Sequence, residues 1–152
     1  MPPTASRTTS TDAAEMASRL RLSATRLARR LRQESGSGLT PSMLSALAAV
    51  SNAGSLTLGE LADHERVAPP SITKVVAKLE ADGLLTRESD ASDRRISRVR
   101  TTKAGAALIT QTRQRKTAWL TTRIQELEPE AQARLADALD VLDRLYAEEG
   151  RP

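Results

Sequence analysis

The sequence has no cysteine and no phenylalanine, and only one histidine, one tryptophan and one tyrosine in 152 residues. Without cysteine there is no disulfide scaffold, zinc ribbon, thiol nucleophile or thiol redox sensor. His64 alone is too little for a transition-metal site or a Ser-His-Asp triad. Its neighbours Asp63 and Glu65 point in different directions on a short helix. An enzyme reading finds no nucleophile–base pair, no phosphate-binding glycine loop and no metal cluster, so no catalytic residue and no cofactor are expected. No run approaches the roughly 18–20 apolar residues of a membrane span. Met1–Thr11 has no apolar stretch after its charge and is not a secretory signal. A cytoplasmic protein with no membrane partner is therefore the expectation. With aromatics at 1%, any core must be built from Leu, Val, Ile and Ala.

What is present is charge, unevenly spread. The totals, 23 Lys+Arg against 19 Asp+Glu, give only +4. Between Arg66 and Lys103, however, nine bases stand against five acids, and between Glu126 and Glu149 eight acids stand against two bases. The chain is basic in its middle and acidic near its end, which suits a centre that meets a polyanion. The acidic tail would then lie away from that partner, or serve simply as a solvated face.

Residues 1–11, rich in Pro, Thr and Ser, are expected to form a disordered arm. From about Asp12 to Arg32, Met16, Leu20, Ala24, Leu27 and Leu31 make the stripe of an amphipathic helix. Arg19, Arg26, Arg29 and Arg30 lie on its other face, and Ser35–Gly38 ends it. Thr40 caps the next helix with Pro41 in its first turn. Met43, Leu47 and Val50 form its inward face, and Asn52-Ala53-Gly54 closes it. Thr57-Leu58-Gly59-Glu60 reads as a capping box. After Pro69-Pro70, Ile72, Val75, Val76 and Leu79 give the inward face of a helix stopped by Gly83. Two short strands, Leu84–Glu88 and Ile96–Thr101, flank a polar loop. A long helix runs from Thr102 to about Leu127. After Pro129 the last helix carries Leu135, Ala138, Leu139, Leu142, Leu145 and Tyr146.

Two short helices, a tight connection and a hairpin are the order of a winged helix-turn-helix. The residues that fill it resemble the MarR family of bacterial transcription regulators. The likeness runs from Thr57-Leu58-Gly59-Glu60-Leu61-Ala62 through Leu79-Glu80-Ala81-Asp82-Gly83-Leu84-Leu85-Thr86-Arg87, into Asp93-Arg94-Arg95 and on to Thr102-Lys103-Ala104-Gly105. One departure is Thr101, where the family usually has Leu. The resemblance implies a mainly α fold with a small β-hairpin wing. Residues 36–102 would form the DNA-binding module, and residues 12–35 and 103–149 its helical dimerisation extensions. It also implies a homodimer on double-stranded DNA that acts as a repressor. A small aromatic or phenolic ligand, bound between the dimer helices and the module, would release it.

A helix fits the DNA major groove and reads base edges there. With its apolar side buried, the helix that follows Pro69 would present Pro70, Ser71, Thr73, Lys74 and Lys78. Lys74 and Lys78 can reach a guanine edge or a phosphate, Thr73 a thymine methyl. Ser71 lies where free N–H groups of a helix start can also approach. Two lysines on a lone helix would otherwise be a solvated face. On the hairpin, Asp93 and Arg95 project from one side, so the carboxylate can hold the guanidinium. By resemblance Arg95 enters the minor groove, Asp93 orients it, and Arg94 meets a phosphate; the plainer alternative is a surface ion pair. Arg87, Arg98 and Arg100 are expected to face backbone or acidic neighbours.

The apolar stripes on the first and last helices exceed what this small module can cover, which marks an interface. Two-fold pairing implies a pseudo-palindromic operator with half-sites about one helical turn (~10 bp) apart. Arg26, Arg30, Met43 and Leu47, near the junction of the first two helices, are the candidate ligand-binding residues. Each also has an ordinary role, surface charge for the arginines and core for Met43 and Leu47. Trp119 reads as a helix-interface core residue rather than a ligand platform. The remaining alternative is a non-specific DNA architectural or protein-interaction module.

Overall fold

The computed structural model describes residues 6–147 of the chain. The expected arm falls outside them over residues 1–5, as do residues 148–149 of the last extension and the side chain of Tyr146. Six helices and three short strands follow in the order α1 (Ser6–Glu34), α2 (Pro41–Ala53), β1 (Leu56–Thr57), α3 (Leu58–Glu65), α4 (Pro69–Ala81), β2 (Leu85–Ser89), β3 (Ser97–Thr101), α5 (Lys103–Gln125) and α6 (Pro129–Ala147). Helix α1 starts at Ser6 and not at Asp12, so residues 6–11 are helix where an arm was expected. Its first residues are polar, but a helix already nucleated extends at the gain of one hydrogen bond per added residue. Among the described residues no helix is long and apolar enough to cross a membrane.

Local chemistry sets most boundaries. Thr40 receives the Met43 N–H at 3.3 Å with Pro41 in the first turn, and Gly54 at φ 78° stops α2. Thr57 and Glu60 form both halves of the capping box, at 3.1 and 2.7 Å. Helices α3 and α4 both end in paired back-bonds to their last carbonyls. In α4 the N–H groups of Gly83 and Leu84 donate to Glu80 and Leu79, each at 2.9 Å. In α3 the same pattern runs from Arg66 to Asp63 and from Val67 to Ala62, each at 3.1 Å.

The sheet is antiparallel, in the order β1-β3-β2, with Leu56 opposite Val99 on one side and Arg87 opposite Val99 on the other. Strand β1 was not expected: two residues are too few for any alternation to register. Thr101 pairs with Leu85 in register, so the departure from the family pattern leaves the strand intact.

One core unites α2, α3, α4, the sheet and the start of α5. Leu47, Val50, Leu61, Ile72, Val76, Leu79 and Val99 are fully enclosed, and Ile109 of α5 joins them. Thr102 and Gly105 dock α5 onto this module. The Thr102 hydroxyl donates to the Gly83 carbonyl at 2.7 Å and accepts the Gly105 N–H at 3.0 Å, while its own N–H donates to Leu84 at 3.1 Å. A Cβ at Gly105 would lie 2.1 Å from the Leu84 carbonyl oxygen, so only glycine fits. The Thr-x-x-Gly spacing is thus a packing requirement between α5 and the end of α4.

Candidate nucleic-acid interface

Helix α4 buries Ile72, Val76 and Leu79 and half-buries Val75, which leaves Pro70, Ser71, Thr73, Lys74, Ala77 and Lys78 exposed. Its N-terminus differs from expectation. Pro69 and Pro70 carry no N–H, and the Ser71 N–H already donates to Ala68 at 2.9 Å. The first turn therefore has no spare N–H for a phosphate, and any contact there falls to side chains. The Thr73 hydroxyl turns back to the Pro69 carbonyl at 2.9 Å, which leaves its methyl as the outward group. Lys78 pairs with Asp82 at 2.7 Å. Lys74 has no ion-pair partner among the described residues.

The wing is β2, β3 and the loop 90–96 between them. Its loop is ordered by aspartates. One oxygen of Asp90 accepts the Ser92 N–H at 2.8 Å, the Ser92 hydroxyl at 2.5 Å and the Asp93 N–H at 3.3 Å. The Asp90 N–H closes onto the Ile96 carbonyl at 2.8 Å, and the Ile96 N–H onto Asp93 at 3.0 Å. The Asp93 carboxylate accepts the backbone N–H of Arg95 at 2.9 Å, not its guanidinium. That corrects the expected Asp93–Arg95 ion pair. In a turn this tight an Asx bond to the residue two ahead satisfies a main-chain donor. Asp93 thus fixes the path of the chain at Arg95 and leaves both Arg94 and Arg95 exposed, without ion-pair partners among the described residues.

The other wing bases meet acids, as expected. Arg87 grips Glu80 of α4 through both carboxylate oxygens at 2.9 and 3.0 Å, which fastens β2 to α4. Arg100 meets Glu88 at 2.9 Å, and Arg98 meets Asp90 at 2.5 Å and Glu60 at 3.3 Å. The hydroxyl of Ser92 and the Arg98 guanidinium hold the Asp90 carboxyl well below the usual carboxylate range. The Thr57 N–H and Arg98 lower Glu60 as well. The same Asp90 bond raises Arg98. Of the nine bases between Arg66 and Lys103, those left without an acidic partner among the described residues are Arg66, Lys74, Arg94, Arg95 and Lys103. Unneutralised charge thus gathers on the outer face of α4, at the wing tip and at two helix ends.

The candidate ligand residues are not gathered into one site. Met43 and Leu47 are core, 8% and 0% exposed, so within the single chain they offer a ligand little or no surface. Arg26 is exposed, and Arg30 pairs with Glu34 at 2.7 Å. Arg30 also lies 5.5 Å from the centre of the Trp119 ring, and Arg123 lies 5.8 Å from it. Trp119 is half-buried, and its indole N–H is enclosed without an acceptor among the described residues. The Thr112 hydroxyl, two turns earlier on the same side of α5, is likewise enclosed and has no partner among the described residues. The seven-residue spacing of these two was visible in the sequence, but a partner for Trp119 on α1 was not. Among the described residues the His64 ring is paired with Glu65, at 3.2 Å.

Over residues 39–97 the chain matches the model of the MarR family. It is 38% identical over 136 residues to an uncharacterised HTH-type transcriptional regulator of Mycobacterium leprae, covering 89% of this chain and 95% of that one. The chain belongs to the MarR family. Among solved structures it is similar to a protein from Pseudomonas aeruginosa described as a transcriptional regulator, with TM-score 0.78, 30% identity, and 88% and 95% of the two chains covered. It is similar also to a MarR family protein from Bacillus stearothermophilus, with TM-score 0.76, 25% identity, and 89% and 95% covered. The protein is thus a DNA-binding transcriptional regulator of the MarR family, and its winged helix-turn-helix comprises α3, α4 and the β2–β3 wing.

Proposed function

We propose that the protein is a cytoplasmic repressor that binds a pseudo-palindromic operator as a homodimer and is released by a small aromatic or phenolic ligand. In each half-site α4 enters the major groove with Pro70, Ser71, Thr73 and Lys74 toward the bases and Lys78 toward a phosphate. The wing places Arg95 in the minor groove, whose negative potential attracts arginine. Arg94 takes a phosphate, and Asp93 holds the turn that carries both. The observation that carries this reading is where charge is left over. Arg87, Arg98 and Arg100 are paired with carboxylates, while Lys74, Arg94 and Arg95 have no such partner among the described residues. Lys78 is tied only by an exposed pair worth about 0–1 kcal/mol, which a phosphate can displace.

Pairing of two chains is supported by apolar side chains left in water on α1 and α6. Met16, Leu139 and Leu145 are 66%, 52% and 58% exposed. Residues 12–35 and 103–149 would supply that interface and residues 36–102 the DNA-binding module. The ligand site is better sought around Arg30, Trp119 and Arg123 than at Met43 and Leu47, because an anionic aromatic ring can stack there and meet a guanidinium.

Competition between a selected site and scrambled DNA tests the reading. A specific regulator should discriminate by roughly 10³-fold or more, and Arg95→Ala should weaken binding by about 1–3 kcal/mol per half-site. Equal affinity for both DNAs would instead support a non-specific architectural module. Undiminished binding by folded Arg95→Ala would remove the wing from the interface.

A further inference from the structure

Arg98 meets two carboxylates, Asp90 in the wing loop and Glu60 on α3. Its side chain, 31% exposed, lies on the central strand β3. Nε donates to Asp90 Oδ2 at 2.5 Å and Nη1 to Glu60 Oε2 at 3.3 Å. Each acid is already committed on its own element. Through its other oxygen Asp90 holds Ser92 and Asp93 of the wing loop, and Glu60 holds the Thr57 N–H at the start of α3 at 2.7 Å. One guanidinium therefore bridges a preordered wing loop and a preordered helix start. From Asp93 the constraint passes to the main chain of Arg95 at 2.9 Å.

We propose that Arg98 is a positioning residue: through Asp90 and Glu60 it fixes the wing loop, and with it Arg94 and Arg95, against the helix-turn-helix without itself contacting DNA. This rests on the reading of the wing as a DNA contact. Charge-assisted bonds to two separate acceptors define direction as well as distance. Arg87 anchors the base of the wing to α4; Arg98 anchors its loop to α3. With both acceptors ordered by other bonds, Arg98 gives up little further freedom in holding them.

The sign of one charge change tests the role. Asp90→Asn keeps an oxygen for the Ser92 and Asp93 N–H groups but turns an NH2 group toward Arg98 Nε, which cannot accept it. It also removes a negative charge near the DNA. If Arg98 were a phosphate contact held back by Asp90, this substitution would tighten binding; if Arg98 positions the wing, binding weakens. The probe is a duplex recovered by selecting random-sequence DNA on the purified wild-type protein, titrated at fixed salt where circular dichroism shows every variant folded. Asp90→Asn and Arg98→Ala are each expected to weaken binding roughly 3- to 10-fold. In an Arg95→Ala background Asp90→Asn should cost less than it does in the wild type, because much of what it misplaces is already gone. Unchanged or tighter binding by Asp90→Asn, or a full multiplicative loss in the double variant, would overturn the positioning role. Wild-type affinity of Arg95→Ala alone would overturn the wing reading and this proposal together. A loss at Arg95 with none at Asp90 would overturn only the latter.

Discussion

At Arg66 the backbone has φ 53°, the left-handed region in which a side chain costs about 1–2 kcal/mol. Helix α4 ends by the same back-bonding with Gly83, which pays no such cost. Arg66→Gly should therefore raise stability by about 0.5–1 kcal/mol after glycine's greater freedom in the unfolded chain is discounted. A higher urea midpoint is the expected result, and a lower one would mean the Arg66 side chain contributes more than its backbone costs. Gly105 is the reverse case. Any Cβ there meets the Leu84 carbonyl oxygen at 2.1 Å, and that oxygen also accepts the Thr102 N–H. Gly105→Ala should cost at least about 1–3 kcal/mol, and an unchanged midpoint would show that α5 can move away from α4 freely. The Thr102–Gly105 spacing was legible in the sequence. Its reason was not, because Leu84 lies in the turn between α4 and β2, some twenty residues earlier in the chain.

Among the elements, helix ends were the most legible features. Thr40, Thr57, Gly54 and Gly83 act through bonds to residues a few positions away, and local chemistry decides them. Strand β1 exists only because β3 pairs with it across some forty residues, so nothing local marks it. The wing shows the same division. Its two strands and polar loop follow from composition, whereas the bond from Arg98 that ties Asp90 to β3 joins residues eight apart. Asp93 was identified as the residue that directs Arg95, but it directs the backbone. Of the candidate ligand residues, Met43 and Leu47 lie in the core, and a core stripe and a pocket lining look alike on sequence grounds. A pH dependence follows for the wing. Since Asp90 and Glu60 are held below the ordinary carboxylate value of about 4, their stabilisation is complete above that value. It is lost as pH falls below it. The difference in melting temperature between the wild type and Asp90→Asn should thus be constant from neutral pH to about 5 and close in more acid solution. A difference that closes between pH 6 and 8 would require another titrating group.

For the whole molecule, the module built by α2, α3, α4, the sheet and the start of α5 is well packed, while α1 and α6 carry apolar residues with little cover. Met16 and Leu20 of α1 line a cleft of about 360 Å³ with Leu145 of α6. A second copy laid against that surface would bury it and repeat the α4–wing unit by two-fold symmetry. In the proposed dimer that repeat, more than any single contact, would turn a basic patch into a reader of a particular site. Hydroxyl-radical footprinting of the purified protein on a selected duplex tests this most directly. The expected result is two symmetry-related sets of protections about one helical turn (~10 bp) apart. Flanking minor-groove protection should disappear in Arg95→Ala. A single unsymmetrical footprint, or one that Arg95→Ala leaves unchanged, would contradict it.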